Sequence, residues 1–220
     1  FWLMAIHQLW SDEYWLLLLQ VYFKKPVGLK PTFARSMVEL SLELHISPRV
    51  LSEKLKELIE RGTPTLESLW KKYGDNPKKL KKEAKRIREM KGFGQAETFY
   101  EGVETNETFE KDFLPINDAK DLNNVILIMV LDLYFQLTPI TMVEETPEVK
   151  ELAHLVGITS KRVVEILEIF QFCDPYLNNS DLMISPILLP CQMIWDRYGT
   201  KDPNILSQLA TELQEYFKRL

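Results

Sequence analysis

Long hydrophobic runs are missing from this chain. The two longest, residues 14–23 and 125–135, fall well short of the roughly 20 residues that span a bilayer, so no membrane partner is expected. Cysteine is scarce. Cys173 and Cys191 are too few to staple 220 residues or to complete a four-cysteine zinc site, and they read as apolar thiols in a reducing compartment. The opening residues have neither the basic start nor the small-residue cleavage site of a signal peptide, which makes the cytoplasm the expected location. The chain begins with Phe1 rather than Met, and its natural start is left open. A basic excess is also absent, for the net charge is −5, and a nucleic-acid partner therefore depends on how the charge is distributed.

Recognisable catalytic chemistry is missing as well. His7, His45 and His154 are far apart, and no His-Glu-x-x-His or Cys-x-x-Cys spacing points to a metal. There is no phosphate-cradling glycine loop and no Gly-x-Ser-x-Gly elbow. The sequence thus predicts a protein with no enzyme activity, no metal and no cofactor.

What is present is an internal repeat. Leu19-Gln20-Val21-Tyr22-Phe23 matches Leu131-Asp132-Leu133-Tyr134-Phe135, 112 positions on, and the same offset pairs Glu39-Leu40-Ser41 with Glu151-Leu152-Ala153. Leu69-Trp70-Lys71-Lys72-Tyr73-Gly74 matches Ile194-Trp195-Asp196-Arg197-Tyr198-Gly199 at an offset of 125, so the second copy carries extra residues between Phe172 and Gln192. Pro77, Leu80, Ala84 and Ile87 then match Pro203, Leu206, Ala210 and Leu213. Helical periodicity and caps run through both copies, with little period-two alternation. The first helix is expected from an N-cap at Ser11 or Asp12 to Phe23. The next two cover 36–44 and 48–61, with Ser47 as N-cap, Pro48 at the first helical position and Gly62 as the stop. A fourth covers 66–73 and a fifth begins after Asn76-Pro77. The fold class is all-α: two pseudo-repeats, 11–91 and 123–220, each with a helix-turn-helix-like trihelical unit plus extra helices. The acidic, aromatic linker 92–122 contains Phe93, Phe99, Tyr100, Phe109 and Phe113, which suggest that it packs down.

The helix-turn-helix pattern is fullest at 152–167. Ala153 is the small residue where the helices cross, Gly157 serves the positive φ of the turn, and Ile158, Val163 and Ile166 are the apolar positions. The first copy has Ser41, His45, Ile46, Leu51 and Lys54 there. A DNA reader of this kind would present Ser47, Arg49 and Lys56 in one copy, and Thr159, Ser160, Lys161 and Arg162 in the other. Glu53, Glu165 and Glu168 would oppose the phosphates.

Residues 71–91 hold ten basic and three acidic side chains. On a helix, Lys78, Lys81, Lys82, Lys85 and Arg88 form a row beside the stripe Leu80, Ala84, Ile87, and such a row suits phosphates. The linker, with eight acids and two lysines, could equally fold back and neutralise it. Lys91-Gly92-Phe93-Gly94 faintly resembles a phosphate-holding glycine hairpin, although a helix C-cap and turn is the simpler reading. The second copy alone adds the apolar stretch 182–189, with Met183, Ile184, Ile187 and Leu188.

Leu131 to Phe135, Thr146-Pro147-Glu148-Val149-Lys150-Glu151-Leu152, Phe170, Asp174-Pro175, Ile194-Trp195 and Asp202-Pro203 occur in an order that resembles the helical N-terminal accessory domain of some bacterial HNH restriction-type endonucleases. The His-Asn-His element and its cysteine pairs have no counterpart, so the resemblance implies a module in DNA-acting company and no nuclease activity. Two partner classes stay open: duplex DNA, or another protein or a second copy of this chain.

Overall fold

The computed structural model describes residues 9–94, 108–177 and 183–218. It is all-α, with eleven α-helices and a single two-stranded sheet among the described residues. The chain divides into two compact units, residues 1–110 and 111–219.

The first unit contains α1 (Tyr14–Phe23), α2 (Arg35–Leu44), α3 (Pro48–Glu60), α4 (Pro64–Tyr73) and α5 (Pro77–Arg88). Helix α1 is apolar nearly all round, which is the mark of a central helix. It buries Trp15, Leu17, Leu18, Leu19 and Val21, and α2, α3 and α5 all pack against it. Proline and a capping side chain start the later helices together. Ser47 Oγ accepts from Val50 N before Pro48, Thr63 Oγ1 from Leu66 N before Pro64, and Asn76 Oδ1 from Lys79 N before Pro77.

Helix α6 (Thr108–Phe113) follows, where the chain passes between units. Strands β1 (Pro115–Ile116) and β2 (Ala119–Asn123) then pair antiparallel with an irregular register. The second unit continues with α7 (Asn124–Gln136), a 3₁₀ turn at Pro139–Thr141, α8 (Pro147–Val156), α9 (Ser160–Cys173), α10 (Leu188–Tyr198) and α11 (Pro203–Phe217). Helix α7 is the central one here. It is buried from Val125 to Leu131 and packs against α8, α9, α10 and α11.

Several local expectations are corrected. Helix α1 starts at Tyr14 after Glu13, with no side-chain cap, and neither Ser11 nor Asp12 caps it. Helix α3 ends one residue early, because Arg61 rather than Gly62 takes the left-handed position, at φ 53°. The linker forms a small hairpin although its sequence shows no strand alternation. Phe113 is buried and Phe109 half-buried there, while Phe99 and Tyr100 lie outside the described residues. So do His7, Leu182 and the residues that follow Gly94.

The Trp-x-x-x-Gly element found in both units has a steric basis. Gly74 and Gly199 have ordinary helical φ, so conformational freedom is not what they supply. A Cβ at Gly199 would stand 2.7 Å from the Trp195 indole, and one at Gly74 2.7 Å from the Trp70 carbonyl and 3.4 Å from its ring. No helix among the described residues is long and apolar enough to cross a membrane.

Candidate functional site

The basic row lies on α5. Leu80, Ala84 and Ile87 are buried at helical spacing and fasten the helix to the core of the first unit. Lys78, Lys81, Lys82 and Lys85 are exposed, spaced so that they share one face. At 1.5 Å per residue the row is about 10 Å long, roughly three base-pair steps of duplex. Lys78, Lys81 and Lys82 form no ion pair with any described residue, and Lys85 meets only its exposed neighbour Glu89 at 3.5 Å. Arg88 leaves the row. Its guanidinium reaches both oxygens of Glu43 (2.5 and 3.0 Å) and Gln20 Oε1 (2.9 Å), tying α5 to α2 and α1.

Three acids of the linker, Glu110, Asp112 and Asp121, have partners elsewhere. Glu110 Oε1 meets His45 Nδ1 at 2.8 Å. Asp112, nearly buried, takes a two-pronged contact from Arg197 (2.7 and 2.9 Å) and a bond from Asn124. The Asp112 bonds raise the Arg197 guanidinium above its usual pKa, with burial opposing. Asp121 Oδ2 accepts from Arg162 Nε at 3.0 Å.

Both turn-helix elements have the expected turn. Gly157 caps α8 at φ 81°, and His45 holds the same left-handed position after α2 at φ 56°. His45 Nε2 also meets the Gly94 carbonyl at 3.0 Å, so this turn is tied to the Gly92–Gly94 bend as well as to Glu110. Gly92 and Gly94 both have positive φ, and Phe93 packs edge-on against Tyr14 in the core of the first unit. Lys54 stands in place of an apolar residue by laying its ammonium over Trp10 and Trp15, 5.5 and 5.2 Å from the ring centroids.

The helices after these turns are not basic surfaces. Along α3 the exposed stripe is Arg49, Glu53, Lys56, Glu60, alternating in sign. Ser47 is occupied as N-cap, and the Arg49 guanidinium stands 5.5 Å from the centre of the Phe33 ring. On α9, Lys161 is exposed, Ser160 is half-buried and Thr159 is the N-cap, accepting from Arg162 N at 3.1 Å. Arg162 points back to Asp121 and Glu165. Burial opposes its charge, and those two hydrogen bonds more than offset the burial, raising its pKa. The candidate residues therefore separate into a lysine row on α5, engaged or sign-alternating residues on α3, and on α9 an engaged Arg162 beside the exposed Lys161.

Sequence reading missed a groove in the first unit, about 500 Å³ in volume, with Trp70 in its wall. Lys30 braces the loop beside it. This buried lysine donates to the carbonyls of Tyr22, Lys24 and Pro26, and burial lowers its pKa. In the second unit the apolar extension is split: Ile187 is buried, whereas Ile184 and Leu189 are 86% and 66% exposed. Among the described residues no cluster of His, Cys, Asp and Glu could hold a metal ion. No protein-family model, curated protein or solved structure matches the chain.

Proposed function

We propose that this chain is a non-enzymatic DNA-binding protein that holds the phosphate backbone along α5 of its first unit. The observation that carries this reading is the row Lys78, Lys81, Lys82, exposed on a core-anchored helix and without ion pairs to described residues, continued by Lys85. Exposed lysines on a rigid helix, three of them without an ion pair to a described residue, are ready to replace the counterions of a polyanion. The matching order of helices in the two units, and the like packing of α2, α3 and α5 on α1 and of α8, α9 and α11 on α7, support a duplicated helical plan. In that plan α5 does the binding and the second unit is mainly scaffold. The resemblance of the second unit to an accessory domain of DNA-acting enzymes agrees with this, and the two unpaired thiols suit a cytoplasmic setting. The test is binding to mixed-sequence duplex DNA by the full chain and by a variant with Lys78, Lys81, Lys82 and Lys85 all changed to Gln. Binding is expected in the wild type and lost in the variant; equal binding by both contradicts the proposal.

A second reading, protein association, rests on Leu189 and Met193. They are 66% and 56% exposed and one turn apart on α10. It predicts a concentration-dependent mass that Leu189→Lys with Met193→Lys reduces to the monomer.

A further inference from the structure

The Trp70 groove in the first unit has features that its role in packing does not need. The indole is fixed, with Nε1–H donating to the Leu58 carbonyl at 2.7 Å and the Tyr22 ring edge-on at 5.0 Å. The guanidinium of Arg61 lies over this indole, 4.4 Å from the ring centroid. Arg61 reaches that place from the left-handed position at the end of α3, although Gly62, the residue built for such a conformation, comes next. The result is a cation already stacked on an aromatic face at an open groove.

Four charged residues line the groove: Arg61, Glu67, Lys71 and Asp75. Glu67 and Lys71 are one turn apart on α4, yet none of the four makes an ion pair with a described residue. A groove of this size suits a small planar ligand. A nucleotide presents all the complementary chemistry at once, with a flat π face, amino and imino donors on the base edge, and an anionic phosphate. The turn Gly74 to Asn76 leads directly from the groove into α5, so Lys78 follows Asp75 by three residues.

We propose that this groove receives an unstacked base of single-stranded nucleic acid. The base lies against the Arg61–Trp70 stack, Glu67 and Asp75 accept from its edge, and Lys71 begins the phosphate contacts that α5 continues. This inference rests on the reading of α5 as a phosphate-binding helix and adds the strandedness of the ligand. A base in a duplex is stacked on both faces and cannot enter.

The test uses the full chain with three probes that each carry one 2-aminopurine: a single-stranded DNA, its RNA counterpart and the matching duplex. Stacking quenches this fluorophore. Single strands are expected to bind tighter than duplex and to be quenched. Arg61→Gly removes the guanidinium while suiting the left-handed backbone, and should weaken single-strand binding about tenfold, within the range for loss of one stacked base. It should change the quench, because the base then meets the bare Trp70 face, and leave duplex binding unchanged. Lys71→Gln, on the surface of α4, should weaken binding without abolishing the quench. If Arg61→Gly binds and quenches like wild type, the groove proposal is overturned while the α5 reading stands. If the wild type binds no probe, both are overturned. The DNA and RNA arms distinguish the two sources of strand.

Discussion

Trp70 and Trp195 occupy matching places in the two units and have different surroundings. Trp195 is 7% exposed, and the rings of Tyr134, Phe135 and Phe170 stand around it. Tyr134 is itself fixed, its hydroxyl donating to Asp174 at 2.7 Å; burial first and this bond second raise its pKa. Trp70 is only half-buried and faces a groove, with Arg61 over its ring. Ion pairing differs in the same direction. In the second unit Arg197 holds the nearly buried Asp112, whereas the matching Lys72 is exposed and rests near the Tyr73 ring. Helix α5 carries seven cations against one acid, while α11 has none of that row. Around its tryptophan the same helical plan is thus closed and internally paired in the second unit, and open with exposed charge in the first. Closure favours stability, and unpaired charge at an open face is what a ligand needs.

This contrast makes testable predictions. The largest effect on stability is expected from Arg197→Ala, which leaves Asp112 with only the Asn124 bond and no opposite charge, and should cost roughly 3 kcal/mol. Lys72→Ala should stay within about 0.5 kcal/mol. Denaturant unfolding of the two variants checks both, and equal losses would remove the distinction between the units.

Thiol labelling reports on the second unit alone, because the first contains no cysteine. Burial pushes Cys173 up to about 11 and Cys191 up to about 12 from an ordinary 9.0. Thiolate is the reactive form, so at about pH 8 native Cys173 should alkylate roughly a hundredfold and Cys191 roughly a thousandfold more slowly than in denaturant, the rate rising with pH towards those values. The folded state keeps protons that the unfolded chain releases above pH 9.0. This contribution to stability is complete below that pH and is lost as pH rises through about 11 and 12. Native labelling at the denatured rate would show that the second unit is not closed.

The smallest effect concerns the crossing of the turn helices. Ser41 Oγ is buried and has no hydrogen-bond partner among the described residues, where the second unit has Ala153. Ser41→Ala should stabilise by about 1 kcal/mol, and Ala153→Ser should destabilise by a similar amount. A shift of the melting temperature in the opposite direction for either variant would break the correspondence.

The parts of the fold that depend on near neighbours were legible in the sequence. Ser47-Pro48, Asn76-Pro77 and Asp202-Pro203 mark helix starts because cap and ring act within one turn, and Gly157 takes the positive φ assigned to it. The stripe Leu80, Ala84, Ile87 correctly gave the buried side of α5 and hence its lysine face. Partners chosen across the fold were not legible. Arg88 belongs by spacing to the row, yet Glu43, 45 positions away, captures it. Arg162 is likewise held by Asp121, 41 positions away. The groove was hidden for the same reason, since it depends on Arg61 stopping α3 one residue before Gly62 and turning over a ring nine positions on.

The most direct test of the central claim is the slope of log affinity against log salt, measured on one DNA for the wild type and for single Lys→Gln changes at 78, 81, 82 and 85. Four phosphate contacts predict a slope of about −3 to −4, and each substitution should make it shallower by roughly one. A slope near zero, or one that no substitution changes, would contradict the assignment of α5 as the phosphate-binding element.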